Sequence, residues 1–256
     1  MKKHSLISGI AVGLLALVPL TATADKIAKA DTAKPAAQES IDVNTIVSRH
    51  LAALGGEKLL RSGKSMSFTV SGEKMGKAFT KTVTYARPNL MRVDIQSADG
   101  AMSKGFDGKV GWHKKGTDAA VAMTAEESKM MAAHADFEEP LLDFAKKGTK
   151  VKLAGKSEVD SKPAYDVEVA FSNGDSEHHF IDASSYLLVK RTFTAKDKDG
   201  KSKQQSVRFG DYKKVQGRMV NHTVSYEADD GKLHSSTVSK VSFDKPVNAK
   251  LFAIPK

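Results

Sequence analysis

Cysteine is absent from the 256-residue chain. No disulfide can staple it and no lipid can be attached through an N-terminal cysteine, so stability has to come from an ordinary apolar core. Long hydrophobic runs are scarce as well. One stretch, Leu6–Leu20, is almost wholly apolar; it is too short to span a bilayer comfortably, and no second run follows. Lys2, Lys3 and His4 precede it and Ala22-Thr23-Ala24 follows it. That arrangement predicts a secretory signal peptide over residues 1–24, cleaved after Ala24, and hence an exported soluble protein remote from ATP-driven chemistry.

Catalytic motifs are missing too. Gly155-Lys156-Ser157 and Gly63-Lys64-Ser65 resemble the end of a phosphate loop, but Lys150 and Lys58 stand where that motif needs its first glycine. There is no G-x-S-x-G elbow and no H-E-x-x-H pair. The eight histidines are scattered. His178 and His179 are adjacent on an expected strand, so their rings point to opposite faces and cannot easily share a metal; both read as surface histidines. Glu138, Glu139 and Asp143 read as the wet face of a helical segment, and Asn221-His222-Thr223 is a glycosylation pattern common by chance. The expectation is a protein that is not an enzyme, with no catalytic residue, metal or cofactor.

What the chain has in plenty is lysine. Lys+Arg is 40 against 30 Asp+Glu, for a net charge of +10, which falls to +8 once Lys2 and Lys3 leave with the signal. The basic residues are mostly Lys, spread along the length rather than clustered with aromatics, which argues against a nucleic-acid partner. They read as a solvated surface with some affinity for anionic membranes or partners.

Residues 25–39 are Ala- and Lys-rich and predict a disordered leader. Ser40 or Asp42 can cap a helix carrying Val43, Ile46, Val47, Leu51 and Leu54, ended by Gly55-Gly56, with one more turn over Glu57–Arg61. From Ser65 the period changes to two, through Met66, Phe68 and Val70, then Phe79, Val83 and Tyr85, then Met91, Val93 and Ile95, with a further strand pair around Asp107-Gly108. Thr124 and Glu127 form a capping box, and Met130, His134, Phe137, Leu141 and Phe144 follow at helical spacing on a helix or broken helical pair, Pro140 marking the kink or a helix start. Strands return after Gly148, with turns at Asp160–Pro163, Asn173-Gly174, Asp199-Gly200, Gln216-Gly217 and Asp230-Gly231. The result is an α+β, mainly β domain of about eleven antiparallel strands, with a helix in front and a helical insert in the middle.

The order helix, three long strands, Phe106-Asp-Gly-Lys-x-Gly-Trp112, helical insert and strands ending in Leu251-Phe252-x-Ile-Pro255 resembles the LolA-like group, the outer-membrane lipoprotein-sorting protein homologues. Ala53-Leu-Gly-Gly56, Arg87-Pro88, Tyr165 after Lys162-Pro163, and Phe209-Gly-Asp-Tyr212 with Gly217 match as well. The resemblance covers residues 40–256 and implies a LolA-like lipid-binding domain: an unclosed β-barrel with a helical lid, whose cavity holds acyl chains of lipoproteins or lipids in the periplasm. It also implies a basic residue that latches the lid; position alone offers Arg87 and Arg92. Homologues of this fold include stress sensors of the envelope, so a sensor with an envelope membrane protein as partner is the alternative to a carrier. On the carrier reading, Met130, Met131, Phe137, Leu141 and Leu142 line the lid side of the cavity, and Met91, Val93 and Trp112 the sheet side. The surface lysines would make transient contact with the membrane.

Overall fold

A computed structural model of the chain describes residues 41–74, 76–172, 174–196, 201–227 and 233–255. The expected signal peptide and leader, and the turn signals Asp199-Gly200 and Asp230-Gly231, lie outside the described residues, as does Asn173.

Two helices open the described chain, α1 (Val43–Ala53) and α2 (Glu57–Ser62). Asp42 caps α1, its carboxylate accepting from the Asn44 and Thr45 backbone N–H groups at 3.0 and 3.3 Å. Five strands follow: β1 (Ser65–Lys74), β2 (Lys77–Ala86), β3 (Leu90–Ser97), β4 (Gly100–Phe106) and β5 (Gly111–Lys115). Then come the short β6 (Val121–Ala122) and α3 (Ala125–His134). Seven strands complete the chain: β7 (Lys150–Val159), β8 (Lys162–Ala170), β9 (Ser176–Asp182), β10 (Leu188–Lys196), β11 (Ser202–Val215), β12 (Arg218–Glu227) and β13 (Leu233–Phe243). Thirteen strands thus replace the expected eleven or so; β6 spans two residues and has no period to read.

All thirteen form one unclosed antiparallel sheet in the order β6-β5-β4-β3-β2-β1-β13-β12-β11-β10-β9-β8-β7. Every neighbour is a sequence neighbour except β1 and β13, which pair from Met66↔Phe243 to Gly72↔Ser236. The two sheet edges, β6 and β7, are therefore consecutive in sequence and joined by the segment 123–149. Tight turns make this meander possible. Gln216 (φ 48°) and Gly217 (φ 85°) both take the left-handed conformation that matches strand twist between β11 and β12.

The capping box at Thr124 and Glu127 is present. The regular helix, however, stops at His134, and 140–148 continue as successive turns rather than the long helix or helical pair the apolar spacing predicts. Asp136, whose carboxylate accepts from the Glu138 N–H at 2.9 Å, starts the break before Pro140 is reached. The spacing survives because the segment keeps a helical turn, with Lys147 N–H bonded to Asp143 O at 3.1 Å.

Candidate functional site

Cross-strand partners share a face of the sheet and successive residues alternate, so the register sorts every strand residue. The inner face carries two apolar clusters. The first holds Met66, Phe68, Val70, Val83, Met91, Val93, Phe106, Phe193, Val207 and Phe209 among others, roofed by Met131, Ala135 and Phe137. The second packs Ile46, Val47 and Leu51 of α1, with Leu141 and Leu142, on Val167, Val169 and Ile181. The segment joining the sheet edges thus straddles both, and it is this segment that covers the face.

Of the eight residues expected to line a cavity, six lie in these clusters: Met91, Val93, Met131 and Phe137 in the first, Leu141 and Leu142 in the second. Met130 is half-buried on α3 and belongs to neither. Trp112 is on the other side of the sheet, a correction to the expectation. It pairs with Gly105, whose neighbour Phe106 points inward, and its indole N–H donates to the Phe252 carbonyl at 2.7 Å. A Cβ at Gly105 would meet the indole at 2.6 Å, so glycine is what lets the ring lie flat there. Arg92 stacks over the ring at 5.5 Å on the same outer face.

Charged side chains between the two clusters were not anticipated. His50 and His179 are buried, so His179 is not the surface histidine expected. Glu177, His179 and Arg191 are each 1–2 % exposed on the inner face. His179 Nε2 is 3.1 Å from Glu177 Oε2, and Arg191 Nε is 3.3 Å from the same oxygen. Arg191 Nε and Nη2 make no hydrogen bond among the described residues. The acidic trio read as a wet face is anchored instead. Glu138 pairs with Arg87 at 2.6 Å and Lys147 at 3.0 Å, and Asp143 pairs with Arg61 and with Lys146. Glu139 sits 3.6 Å from His50. Burial alone would raise the Glu139 carboxyl; His50 and His179 outweigh it and hold it below the usual carboxylate range. Burial and the Asp136 charge push the Tyr85 phenol up to about 12, and burial and Glu139 push up that of Tyr212, whose O–H donates to Leu188 O at 2.7 Å.

One cavity of about 60 Å³ lies against His50, Glu139, Tyr212, Asn221 and Arg218, with Phe209 and Phe243 as apolar walls. That is well short of the roughly 300 Å³ where small-molecule sites begin. No group of three or more metal-ligating His, Asp or Glu side chains occurs among the described residues.

Two lysines also face inward. Lys81 pairs with Val70 and Ile95, and Lys104 with Val93, all inner-face positions. Burial, then the Lys104 charge, pushes Lys81 down to about 8, and burial lowers Lys104. Between pH 8 and 10.5 the unfolded chain holds a proton at Lys81 that the folded chain has lost, so this group makes stability rise with pH across that window. Below it the cost is constant. Lys81→Met is expected to raise stability at pH 7 by about 2 kcal/mol and to flatten that rise, read as urea midpoints from pH 7 to 10.

No protein-family model matches the chain, and no curated protein matches it. Solved structures do. A LolA superfamily protein from Nitrosomonas europaea aligns over 84% of this chain and 98% of its own, at 12% identity and a TM-score of 0.54. A DUF1329 family protein from Desulfovibrio piger aligns over 82% and 97%, at 12% identity and 0.52. A domain described as outer membrane lipoprotein-sorting, from Vibrio parahaemolyticus, aligns over 81% and 94%, at 12% identity and 0.50. The fold is LolA-like.

Proposed function

We propose that, on this LolA-like fold, the protein is a periplasmic carrier that holds acyl chains of lipids or lipoproteins between the inner face and the 123–149 segment, which acts as a lid. One observation carries this reading. The apolar inner face is covered by a segment that joins two unpaired sheet edges and lies over the sheet through Met131, Phe137, Leu141 and Leu142. Polar anchors tie that segment down: Asn89 to Ala132 O at 3.0 Å, the Gly111 N–H to the Ser128 hydroxyl at 3.0 Å, Arg87 to Glu138, Arg61 to Asp143, and His50 at 3.6 Å from Glu139. Arg87 is the basic residue in position to latch the lid, whereas Arg92 binds Asp94 on the outer face.

The inner-face cavity of about 60 Å³ is too small for an acyl chain. Binding therefore requires the lid to lift and its apolar side chains to be replaced by the ligand. Burial of a sixteen-carbon chain is worth on the order of 12 kcal/mol at ~0.8 per methylene. Such a ligand would leave too slowly without an exchange partner. The returning lid supplies that partner by re-covering the same surface, so release needs no ATP.

The small size of that cavity also favours a second reading, a sensor or interaction protein whose lid opens only against a damaged-envelope ligand or a membrane-protein partner. Native mass spectrometry of the protein taken from the periplasm, followed by lipid extraction, separates the two. A carrier arrives with an acylated species near unit occupancy; an empty protein that also refuses a fluorescent fatty acid overturns the carrier reading. Phe137 packs on Tyr85 at 5.7 Å between ring centres under the Arg87 guanidinium. Phe137→Asp is expected to lose fatty-acid binding by at least tenfold while far-UV circular dichroism of the strands is kept.

A further inference from the structure

We infer that Lys81 and Lys104 form an anion-binding station at the lip of the inner face, and that the ligand is a single-headed amphiphile whose carboxylate or phosphate sits between the two ammonium groups. This rests on the reading that the interior accepts an acyl chain, and it adds what the head group must be.

The register places the lysines in rows running across the sheet. The row Tyr85, Met91, Phe106, Gly111 lies under the lid, with Met123 and Met131 against Gly111. The next row outward is Phe68, Val83, Val93, Lys104, His113. The one beyond is Val70, Lys81, Ile95, Met102, Lys115. The lysines therefore stand where the roof ends and the apolar face runs out into solvent, Met102 being 42% exposed.

These two rows contain cations and apolar residues and no Asp or Glu. His113 has the Glu127 carboxylate of α3 near it. For Lys81 the acting charge is Lys104, of the same sign, and for Lys104 burial alone acts. The register sets the two lysines one row apart on the same inner face, on either side of β3, beside Val93 and Ile95, and neither has a hydrogen bond or ion pair among the described residues. An anion between them offsets the repulsion and accepts from both ammonium groups. A head group held there leaves its chain pointing along Val93 and Met91 under the lid, which is the geometry an amphiphile needs and a free ion does not.

The test compares a fluorescent long-chain fatty acid with its methyl ester on the intact protein, on Lys81→Met, on Lys104→Met and on the double variant, with inorganic phosphate as competitor. Methionine keeps the length and the packing, and the urea midpoints described above verify folding. The native protein is expected to bind the acid roughly tenfold more tightly than the ester, each single variant to lose part of that ratio, and the double variant to bind both alike at the affinity of the ester. Phosphate is expected to compete only at concentrations a hundredfold or more above the acid. Equal binding of acid and ester by the native protein, or an undiminished ratio in the double variant, overturns the station while leaving lipid binding in place. Phosphate binding as tight as the acid overturns the amphiphile in favour of a free anion. Failure of both probes to bind overturns the station together with the carrier reading.

Discussion

Glu177→Ala is expected to lower stability by about 3–5 kcal/mol, because it leaves a buried guanidinium without its one countercharge among the described residues. Arg191 is 1% exposed, its Nε is 3.3 Å from Glu177 Oε2, and its Nε and Nη2 have no hydrogen-bond partner among the described residues to fall back on. Arg191→Met should cost far less. It removes the charge, and Glu177 keeps His179 at 3.1 Å. The paired substitution Glu177→Ala with Arg191→Met should therefore be more stable than Glu177→Ala alone. Urea denaturation of the three variants measures this. Additive losses would mean that the pair is not an interacting unit.

Trp112→Ala is the second large effect, about 3–5 kcal/mol and a fall in Tm of roughly 10 °C. The chain has one tryptophan. Its indole is 1% exposed, and its loss leaves the Phe252 carbonyl without its donor and empties the space above Gly105. Because Trp112 is on the outer face, the variant that remains folded at low temperature should still take up a fluorescent fatty acid with unchanged affinity. The same placement means that Trp112 emission in the native protein should not respond when the ligand enters. A large quenching on binding would place the ligand on the outer face and contradict the site described here.

Much of the architecture is readable from local chemistry. Asp42, the Thr124–Glu127 box and the Gln216-Gly217 turn each specify their own geometry, and alternation marks the strands. Which face a short strand turns inward is harder to read. In β5 the inward position is Gly111, which has no side chain to announce it, so the large apolar Trp112 looks like the core residue. Only pairing with Phe106 and Gly105 resolves the parity. The inward charges left a readable trace. In Phe79-Thr-Lys81-Thr-Val83 and Met102-Ser-Lys104-Gly-Phe106 the lysine occupies the apolar phase of an alternating run, and Glu177-His-His179-Phe-Ile181 repeats the pattern. A charge out of phase with its strand was the available signal for a functional interior. The halt of α3 at His134 had no such signal, because the helical spacing of Phe137 and Leu141 continues through the turns.

The pairing of β1 with β13 has a consequence for how the chain can be divided. The segments before and after the lid are each an unbroken antiparallel meander, and they meet along a single strand pair in the middle of the sheet. A peptide bond cut within 135–149 would leave both meanders whole, with the β1–β13 ladder and the apolar clusters still available to hold them. Each half would carry an unbroken meander and one strand of the β1–β13 ladder. The 123–149 segment contributes the link between the two edges rather than the register of the sheet.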